Sequence, residues 1–366
     1  MITEDQIIER NLSAKVLTIG LPYENFKGGI SKVIQTYSSH FETFKFLSTY
    51  KRSKFNLLLV PYFIMSIFRL IRILTVDQEI EVVHIHGAAK GSLLRKSIMA
   101  AIARKFGKKV IYHSHGSELK DFYLRSSNFL RKRIAGFFEK VDLVICLSQE
   151  WKAFFCEHFS LKQIEVLENI VEEPGPDLIS KPNQGFPLRI LFLGLIGTRK
   201  GVFDLLEVLS KNKEEFEGKL IVSIGGRGET DKLESFVKDK QLEKLVHFEG
   251  WVTGIRKDEL LKNADVYILP SYNEGLPISI LEAMSFGLPI ISTNVGGIPQ
   301  VVNNNFNGFI IQPGDKDAIQ KSLTFFLQNI DQIEVMGRNS RKIVEPFYAK
   351  NVIPKLKSFY SRILNS

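Results

Sequence analysis

Short apolar runs alternate with longer amphipathic stretches along most of the chain, and they fall into two series. The first series has runs at residues 15–19, 81–85, 109–113 and 142–147. The second has runs at residues 188–193, 219–224, 245–248, 265–269, 288–292 and 308–311. Apolar runs separated by helical stretches, such as residues 91–106, are typical of parallel strands buried on both faces. The pattern therefore predicts an α/β fold with two doubly wound domains.

The predicted boundary between the domains lies in a proline-rich stretch. Residues 172–187 hold four of the 13 prolines, and such a composition is typical of a semi-rigid linker. We predict an N-terminal domain over residues 1–172, a linker over residues 173–187 and a C-terminal domain over residues 188–346. In open α/β sheets ligands bind beyond the carboxyl ends of the strands. Chemistry is therefore expected just after each run, in a cleft between two facing domains.

Composition and charge narrow the class of protein. Of 366 residues, 44% are hydrophobic and 24% charged, which excludes a disordered chain. The two cysteines, Cys146 and Cys156, are too few for a disulfide framework and fit a reducing, cytoplasmic compartment. Residues 1–170 carry the whole net charge of +9, with 25 Lys and Arg against 16 Asp and Glu. Such a basic domain favours a phosphate-bearing partner, whether nucleic acid, an anionic membrane or a small molecule.

The most apolar run, residues 57–76, is about long enough to span a bilayer. It is interrupted by Pro61, Arg69 and Arg72, which favours a buried or surface-lying helix over a membrane span. With basic residues just upstream, it is also a candidate for contact with an anionic membrane. A core helix with one solvated edge is the alternative. The polar N-terminus lacks the basic and apolar regions of a signal peptide.

Residues 269–287, LPSYNEGLPISILEAMSFG, carry the most informative motif. A predicted strand ends at Leu269, Pro277 suits the first helical turn, and Gly287 suits the end of the helix. The helix therefore begins at the carboxyl edge of the sheet, where its first N–H groups point outward. A helix terminus of this kind binds anions.

Two glutamates in this stretch are candidate ligands for a sugar nucleotide. Glu282 lies among apolar helix residues, so its carboxylate needs a partner. The hydroxyls of a ribose are suitable hydrogen-bond donors. Glu274, on the preceding loop, can bind a sugar ring in the same way. A surface position for Glu282 and a turn role for Glu274 are the alternatives.

The pattern S-x-x-E-G-x-P-x-x-x-L-E-A-M-x-x-G-x-P, which begins at Ser271, resembles the donor-site signature of the family 4 (group 1) retaining glycosyltransferases. These enzymes have the GT-B fold of two Rossmann-like domains, and the resemblance covers about residues 15–311. It implies that Glu282 binds the nucleotide ribose and that Glu274 contacts the donor sugar. It also implies that the loop holds donor phosphate or sugar through the backbone of three donor-binding residues, Gly275, Leu276 and Pro277.

Other motifs of the second series extend the resemblance. Gly194, followed by Arg199 and Lys200, resembles the family's diphosphate clamp, in which Lys200 neutralises a donor phosphate. Leu195 stands where the family commonly has an arginine, and Arg199 is the candidate replacement. Gly226 lies in a stretch that resembles the glycine turn close to the nucleotide. Further matches lie at residues 246–250, 295–299 and 307–309.

In the first series, Gly28 and Gly29 follow the first predicted strand. Glycines let the backbone approach a phosphate closely, although a plain turn is the alternative. The resemblance implies that these two residues face the donor diphosphate and the acceptor. Asn169 ends a strand-like run at residues 165–167 and resembles the asparagine that opens the family's crossover loop.

Two patterns have the spacing of metal ligands. The H-x-H pairs at residues 84–86 and 113–115 end two predicted strands, and four histidines can bind zinc. The resemblance implies instead that His115 alone has a site role, near the reacting carbon of the donor sugar. Asp315 and Asp317 begin a predicted helix, where acidic residues are ordinary dipole partners, so no metal site is predicted there.

These inferences predict a metal-independent, retaining glycosyltransferase of the hexosyltransferase type. It moves a sugar from a nucleotide-diphospho-sugar to a saccharide or lipid-linked acceptor in surface polysaccharide synthesis. The predicted catalytic residues are His115, Glu274, Lys200 and Arg199, and no cofactor is expected. The alternatives are a sugar-nucleotide epimerase or hydrolase on the same fold, and a zinc-dependent hydrolase that uses the H-x-H pairs.

The charge asymmetry then favours a membrane over nucleic acid as the phosphate-bearing partner. The candidate contacts with the inner face of the cell membrane are residues 57–76, Lys51 and Arg52, and the basic residues 131–133. The last segment, residues 347–366, is predicted to pack back on the N-terminal domain.

Overall fold

A computed structural model of the chain describes residues 6–24, 28–50, 59–116, 118–179 and 185–366. The described residues form two compact units, one within Met1–Ile170 and Phe347–Ser366 and the other within Val171–Pro346. Each unit is built on a six-stranded parallel sheet with helices in its crossover connections. This arrangement confirms the predicted α/β fold with two Rossmann-like domains.

The first unit has a sheet with the strand order β2-β1-β3-β4-β5-β6. Its strands are β1 (Val16–Gly20), β2 (Lys45–Ser48), β3 (Val82–Gly87), β4 (Lys109–Ser114), β5 (Leu143–Cys146) and β6 (Ile164–Val166). Its helices up to residue 170 are α1 (Arg10–Ser13), α2 (Gly29–Ser39), α3 (Leu59–Val76), α4 (Gly91–Lys105), α5 (Leu119–Arg125), α6 (Asn128–Phe138) and α7 (Gln149–His158). β1 and β5 are buried throughout, as expected for central strands covered on both faces.

The second unit has a sheet with the strand order β12-β11-β10-β7-β8-β9. Its strands are β7 (Leu188–Ile196), β8 (Leu220–Gly228), β9 (Val246–Gly250), β10 (Val266–Leu269), β11 (Ile290–Thr293) and β12 (Gly308–Ile311). Its helices are α8 (Val202–Lys211), α9 (Lys213–Phe216), α10 (Thr230–Asp239), α11 (Gly254–Asn263), α12 (Ile278–Ser285), α13 (Lys316–Gln328) and α14 (Asp331–Val344). In each unit all paired strands are parallel, so their carboxyl ends share one edge of the sheet.

One strand escaped prediction, and β7 and β8 are each three residues longer than predicted. β2 lies at the edge of its sheet with one buried residue of four, so its hydrophobic signal is weak. β7 and β8 continue in register from Gly194 opposite Gly226 to Ile196 opposite Gly228. The prediction of a turn around Gly226 is therefore wrong, because this residue lies within a strand. A Cβ at Gly226 would lie 2.1 Å from the Gly194 carbonyl oxygen. Glycine serves close strand packing there.

The last helix, α15 (Ala349–Leu364), belongs to the first unit. Its Tyr360 hydroxyl lies 2.6 Å from Nδ1 of His84 in β3, and Lys355 forms an ion pair with Glu168. Within the proline-rich stretch, the helical turn Pro176–Leu178 contacts α11 of the same unit. Residues 180–184 of the predicted linker lie outside the described residues.

Helices α12 and α14 approach each other closely at two glycines. Gly287 has φ +84° just after α12, so it ends the helix as predicted. A Cβ at Gly337, within α14, would lie 2.0 Å from the carbonyl oxygen of Gly287. The backbone contact between the two helices therefore requires the absence of a side chain at Gly337.

Replacement of Gly337 by Ala is expected to lower the free energy of unfolding by about 1–3 kcal/mol, because overpacking displaces α14 from α12. The matched control is Gly136→Ala in α6, where an added Cβ meets nothing within 4 Å. There the better helix propensity of alanine is expected to stabilise the protein by about 0.5–1 kcal/mol. Urea denaturation of both variants measures the difference, and equal effects would contradict the proposed role of Gly337.

Candidate functional site

A buried ion pair joins two loops at the carboxyl edge of the second sheet. Lys200 follows β7, and Glu274 follows β10, the neighbour of β7 in the sheet. The Lys200 ammonium binds Oε1 of Glu274, and the Ser271 hydroxyl donates to the same oxygen at 2.7 Å. The two charged side chains are 13% and 8% exposed. The fold thus brings together two predicted catalytic residues that lie 74 positions apart.

Backbone contacts hold these two loops in place. Gly201 has φ +70°, and a Cβ there would lie 1.9 Å from the carbonyl oxygen of Pro270. Arg199 donates from Nη1 to the carbonyl oxygen of Asn273 at 3.1 Å, and its own carbonyl accepts from the N–H of Tyr272 at 2.9 Å. Arg199 therefore adds a second cation to this edge while fixing the loop that carries Glu274.

The turn after β11 supports the same loop from the other side. Gly296 has φ +55°, and a Cβ there would lie 2.1 Å from the carbonyl oxygen of Glu274. The N–H of Gly297 donates to the carbonyl oxygen of Gly275. The matching glycines of residues 295–299 thus position the Glu274 backbone, a role that sequence patterns alone did not reveal.

Glu282 has a partner that sequence analysis missed. It lies in α12, and its Oε1 is 2.6 Å from Nζ of Lys257 in α11, with both side chains mostly buried. No local pattern distinguishes Lys257, because it is one of two lysines on a polar helix. A carboxylate has about four acceptor positions, so this ion pair leaves capacity for further hydrogen bonds.

Pro277 immediately precedes α12, so the helix begins where the sequence predicts. The first N–H groups of a helix have no acceptor within it, and they carry the positive end of the helix dipole. Leu276 is buried and Gly275 accepts from Gly297, so both residues belong to a fixed loop. The start of α12 therefore lies at the same sheet edge as Lys200 and Glu274.

The first unit contains a stack of four imidazoles at the carboxyl ends of β3 and β4. His84, His86 and His113 are 0–1% exposed, and the ring of His115 stacks on His113 with centroids 4.2 Å apart. Nδ1 of His86 and Nε2 of His115 share a hydrogen bond of 2.9 Å. Burial lowers the pKa of His115 to about 3, so its imidazole is neutral at physiological pH.

Comparison with sequence models of protein families places the chain in a known group. Residues 180–343 match the family described as glycosyl transferases group 1, and residues 38–173 match Glycosyltransferase Family 4. Together the two matches cover both units. The chain is a family 4, group 1 glycosyltransferase with the GT-B fold.

Individual glycosyltransferases align with most of the chain. An Escherichia coli UDP-Gal:α-D-GlcNAc-diphosphoundecaprenol α-1,3-galactosyltransferase is 28% identical, over 81% of this chain and 78% of its own. An N-acetyl-α-D-glucosaminyl L-malate synthase from Bacillus anthracis is 24% identical, over 98% of this chain and 91% of its own. These relatives show the breadth of acceptors that accompany the shared sequence pattern.

Solved structures share the fold at low sequence identity. A sucrose-phosphate synthase from Thermosynechococcus elongatus has a TM-score of 0.77 at 15% identity, over 96% of this chain and 99% of its own. Anabaena HepE in complex with UDP has a TM-score of 0.72 at 16% identity, over 95% of this chain and 100% of its own. Identity this low establishes the common architecture of this glycosyltransferase and no more.

The remaining predicted site residues of this glycosyltransferase are four glycines, and they differ in whether packing explains them. Gly194 and Gly226 lie within strands, where packing explains Gly226. A Cβ at Gly28 or Gly29 would meet nothing within 4 Å, so packing does not require glycine there. Their predicted approach to the donor diphosphate stays a prediction.

The histidine cluster could hold a metal ion, but its burial disfavours the zinc-dependent hydrolase. Ligand nitrogens of His84, His86 and His113 lie within 4.8 Å of one another, which is compatible with a metal ion. A catalytic zinc, however, keeps an open position for water or substrate. These three residues are buried, and His84 is tied to Tyr360 of α15.

Replacement of Glu274 by Ala is expected to lower the free energy of unfolding by about 3–5 kcal/mol, because it leaves the Lys200 ammonium buried without its carboxylate. Burial already lowers the pKa of Lys200, and Glu274 opposes that shift. The double variant Lys200→Met with Glu274→Leu removes both charges and is expected to recover most of the loss. Urea denaturation measures both, and no recovery would assign the loss to the loop instead of the pair.

Proposed function

We propose that this glycosyltransferase moves a hexose from a nucleotide-diphospho-sugar to an acceptor hydroxyl, with retention at the anomeric carbon. The observation that carries the proposal is the joint position of Lys200, Glu274 and the start of α12 at one sheet edge. A cation and helix N–H groups suit a diphosphate, and a carboxylate suits sugar hydroxyls. Solved neighbours in complex with UDP and with UDP-glucose support this class of donor.

The Lys200–Glu274 pair suggests how the donor is recognised. When the diphosphate reaches the ammonium of Lys200, the phosphate oxygens replace part of its contact with Glu274. The carboxylate of Glu274 then accepts hydrogen bonds from the hydroxyls of the donor sugar. Because Ser271 also donates to Glu274, the carboxylate keeps its orientation while it exchanges partners. Glu282, oriented by Lys257, accepts from the ribose hydroxyls.

The proposed chemistry assigns the leaving charge to protein groups. The acceptor oxygen forms a bond to the anomeric carbon on the face from which the diphosphate departs, and the acceptor proton passes to the leaving phosphate oxygen. Lys200, Arg199 and the amides at the start of α12 stabilise the departing diphosphate electrostatically. The proposal therefore needs no metal ion for the transfer step. His115, as a neutral imidazole held by His86, is the proposed sugar-orienting residue of the first unit.

Relatives support a class of acceptor. One is a galactosyltransferase named for a diphosphoundecaprenol-linked sugar, and another is a putative colanic acid biosynthesis glycosyltransferase. We infer a lipid-linked saccharide acceptor in the synthesis of a surface polysaccharide. An epimerase or hydrolase on the same fold would consume the donor without an acceptor, and the transfer assay below separates these activities.

We also propose that the first unit lies peripherally on an anionic membrane at the cytoplasmic side. α3 is long and apolar enough to cross a bilayer, with a mean hydropathy of 1.8 and no Asp or Glu. Its Leu70 and Leu74 pack into the core, which favours a helix lying on the surface over one that spans. Its opposite face exposes Ile64 and Phe68, and Arg72 lies beside them.

The structure adds little to the other predicted membrane contacts. Lys51 and Arg52 lie outside the described residues. The basic residues 131–133 belong to α6, where Phe129 is also exposed. An apolar face flanked by arginines and free of carboxylates is complementary to anionic lipid headgroups.

Donor binding tests the two glutamates. Glu282→Ala is expected to abolish the thermal shift given by the preferred member of a panel of UDP-, GDP- and ADP-sugars, because the ribose loses its acceptor. Glu274→Gln is expected to keep nucleotide binding but lower turnover about a hundredfold. The control is Glu234→Gln, on the exposed face of α10, which is expected to change neither quantity.

A transfer assay with the preferred donor examines the reaction itself. Transfer to an acceptor, with the anomeric configuration of the product equal to that of the donor by NMR and with activity kept in EDTA, is the expected result. Donor turnover without any acceptor would favour the epimerase or hydrolase. Full transfer activity in both glutamate variants would contradict the proposed site.

Liposome sedimentation tests the membrane proposal. The protein is expected to bind vesicles containing anionic phospholipid at low salt, and to dissociate as salt screens the charge. Ile64→Ser with Phe68→Ser is expected to weaken binding about tenfold or more, because two apolar side chains no longer insert. The control is Ile255→Ser, an equally apolar exposed residue of the second unit. Failure of the unaltered protein to bind at low salt would overturn the proposal.

A further inference from the structure

Among the residues that the structure describes, no carboxylate pairs with two neighbouring cations of α4. The Lys96 side chain is 2% exposed, and its ammonium donates to the Thr49 hydroxyl oxygen at 2.5 Å. Nε of Arg95 is buried without a hydrogen-bond partner, and its guanidinium lies 6.0 Å from the ring centroid of Tyr50. Within the described ranges, no ion pair joins either cation to an acidic side chain. A buried ammonium is costly unless an anion accompanies it.

The surrounding sequence supplies no such anion. Residues 43–76, which include β2 and α3, contain six Lys and Arg and no Asp or Glu. Residues 82–117, which include β3, α4 and β4, contain seven Lys and Arg and again no acidic residue. These two stretches therefore offer neither cation an acidic counter-ion.

The two cations lie where a parallel sheet binds its ligands. Thr49 follows β2, and α4 follows β3, so both belong to the carboxyl edge of the first sheet. Burial lowers the pKa of His86, the neighbouring histidines lower it further, and the charge of Lys96 makes a smaller contribution in the same direction. His86 in turn shares a hydrogen bond with His115, the proposed sugar-orienting residue.

The apolar helix α3 adjoins the same place. Its Ser66 hydroxyl donates to the carbonyl oxygen of Ser48, the residue before Thr49, at 3.1 Å. α3 also packs against α4. A ligand held at Lys96 and Arg95 therefore has an exposed apolar helix close by, with Phe68 67% exposed.

We propose that Lys96 and Arg95 bind the diphosphate of an isoprenyl-diphosphate-linked acceptor. This inference rests on the proposed function and names its acceptor class. Arginine matches phosphate oxygens through paired N–H donors, and lysine adds a compact charge. The Thr49 hydroxyl is positioned to donate to the same phosphate. The isoprenyl chain then lies along α3 in the membrane, and the attached sugar extends toward His115.

Direct binding tests this site without the transfer reaction. Isothermal titration with farnesyl diphosphate is expected to give a dissociation constant about tenfold or more higher in Lys96→Met than in unaltered protein. Arg95→Lys, which keeps the charge but loses the paired donors, is expected to give a smaller increase. The matched control is Lys105→Met, an exposed lysine at the end of the same helix, which is expected to bind as the unaltered protein does.

The melting temperature of each variant separates a loss of binding from a loss of folding. Lys96→Met replaces a buried ammonium with an apolar chain of similar length, so its melting temperature without ligand is expected to equal or exceed that of the unaltered protein. Every variant retains Lys200, so any binding at the donor site contributes equally to all of them. If Lys96→Met lowers the melting temperature and leaves farnesyl diphosphate affinity unchanged, Lys96 has a structural role and the proposal is overturned.

Two further ligands identify the source of the phosphate. Inorganic pyrophosphate lacks the isoprenyl chain, and farnesol lacks the phosphate. Weaker binding of both than of farnesyl diphosphate supports a lipid-linked acceptor. Pyrophosphate binding as tight as that of farnesyl diphosphate would overturn the lipid class. Intact Lys96-dependent binding in a protein that transfers no sugar would contradict the proposed function and leave this site standing.

Discussion

The buried contact between Lys200 and Glu274 joins two loops at the carboxyl edge of the second sheet. Parallel strands place the ends of β7 and β10 at one edge, but they do not by themselves hold the loops beyond them. The ion pair does so, together with the close approach of Gly201 to Pro270 and of Gly296 to Glu274. Three independent constraints therefore converge on one short loop. The loop is thus preorganised, and under the proposed function the donor exchanges contacts with it instead of assembling it.

Sequence analysis could predict the second unit in detail because its signals are local. The helix after residue 277, its end at Gly287 and the apolar runs of the buried strands all depend on neighbouring residues. The partner of Glu282 could not be predicted, since Lys257 reaches it only through the packing of α11 on the sheet. The predicted ends of β7 and β8 were wrong because glycines weaken the sequence signal of a strand. The backbone contact that requires these glycines is non-local, so the sequence does not show it.

The first unit shows a different limit of sequence reasoning. Its net positive charge is visible in the composition, but the composition does not show which cations are uncompensated. Most lysines of the unit lie in solvent, where charge costs little, whereas Lys96 lies in the interior. The edge strand β2, too short and exposed to predict, carries the Thr49 contact that locates this lysine. Because β2 could not be predicted, the burial of Lys96 could not be predicted either.

The return of α15 to the first unit has a consequence for how the protein is made. Its Tyr360 contacts His84 in the middle of the first sheet, and ion pairs with Glu165 and Glu168 hold it there. A ribosome synthesises all of the second unit before it reaches this helix. The second unit can therefore complete its fold during translation, while the first keeps an apolar face uncovered until α15 emerges. Although it is begun first, the N-terminal unit is finished last.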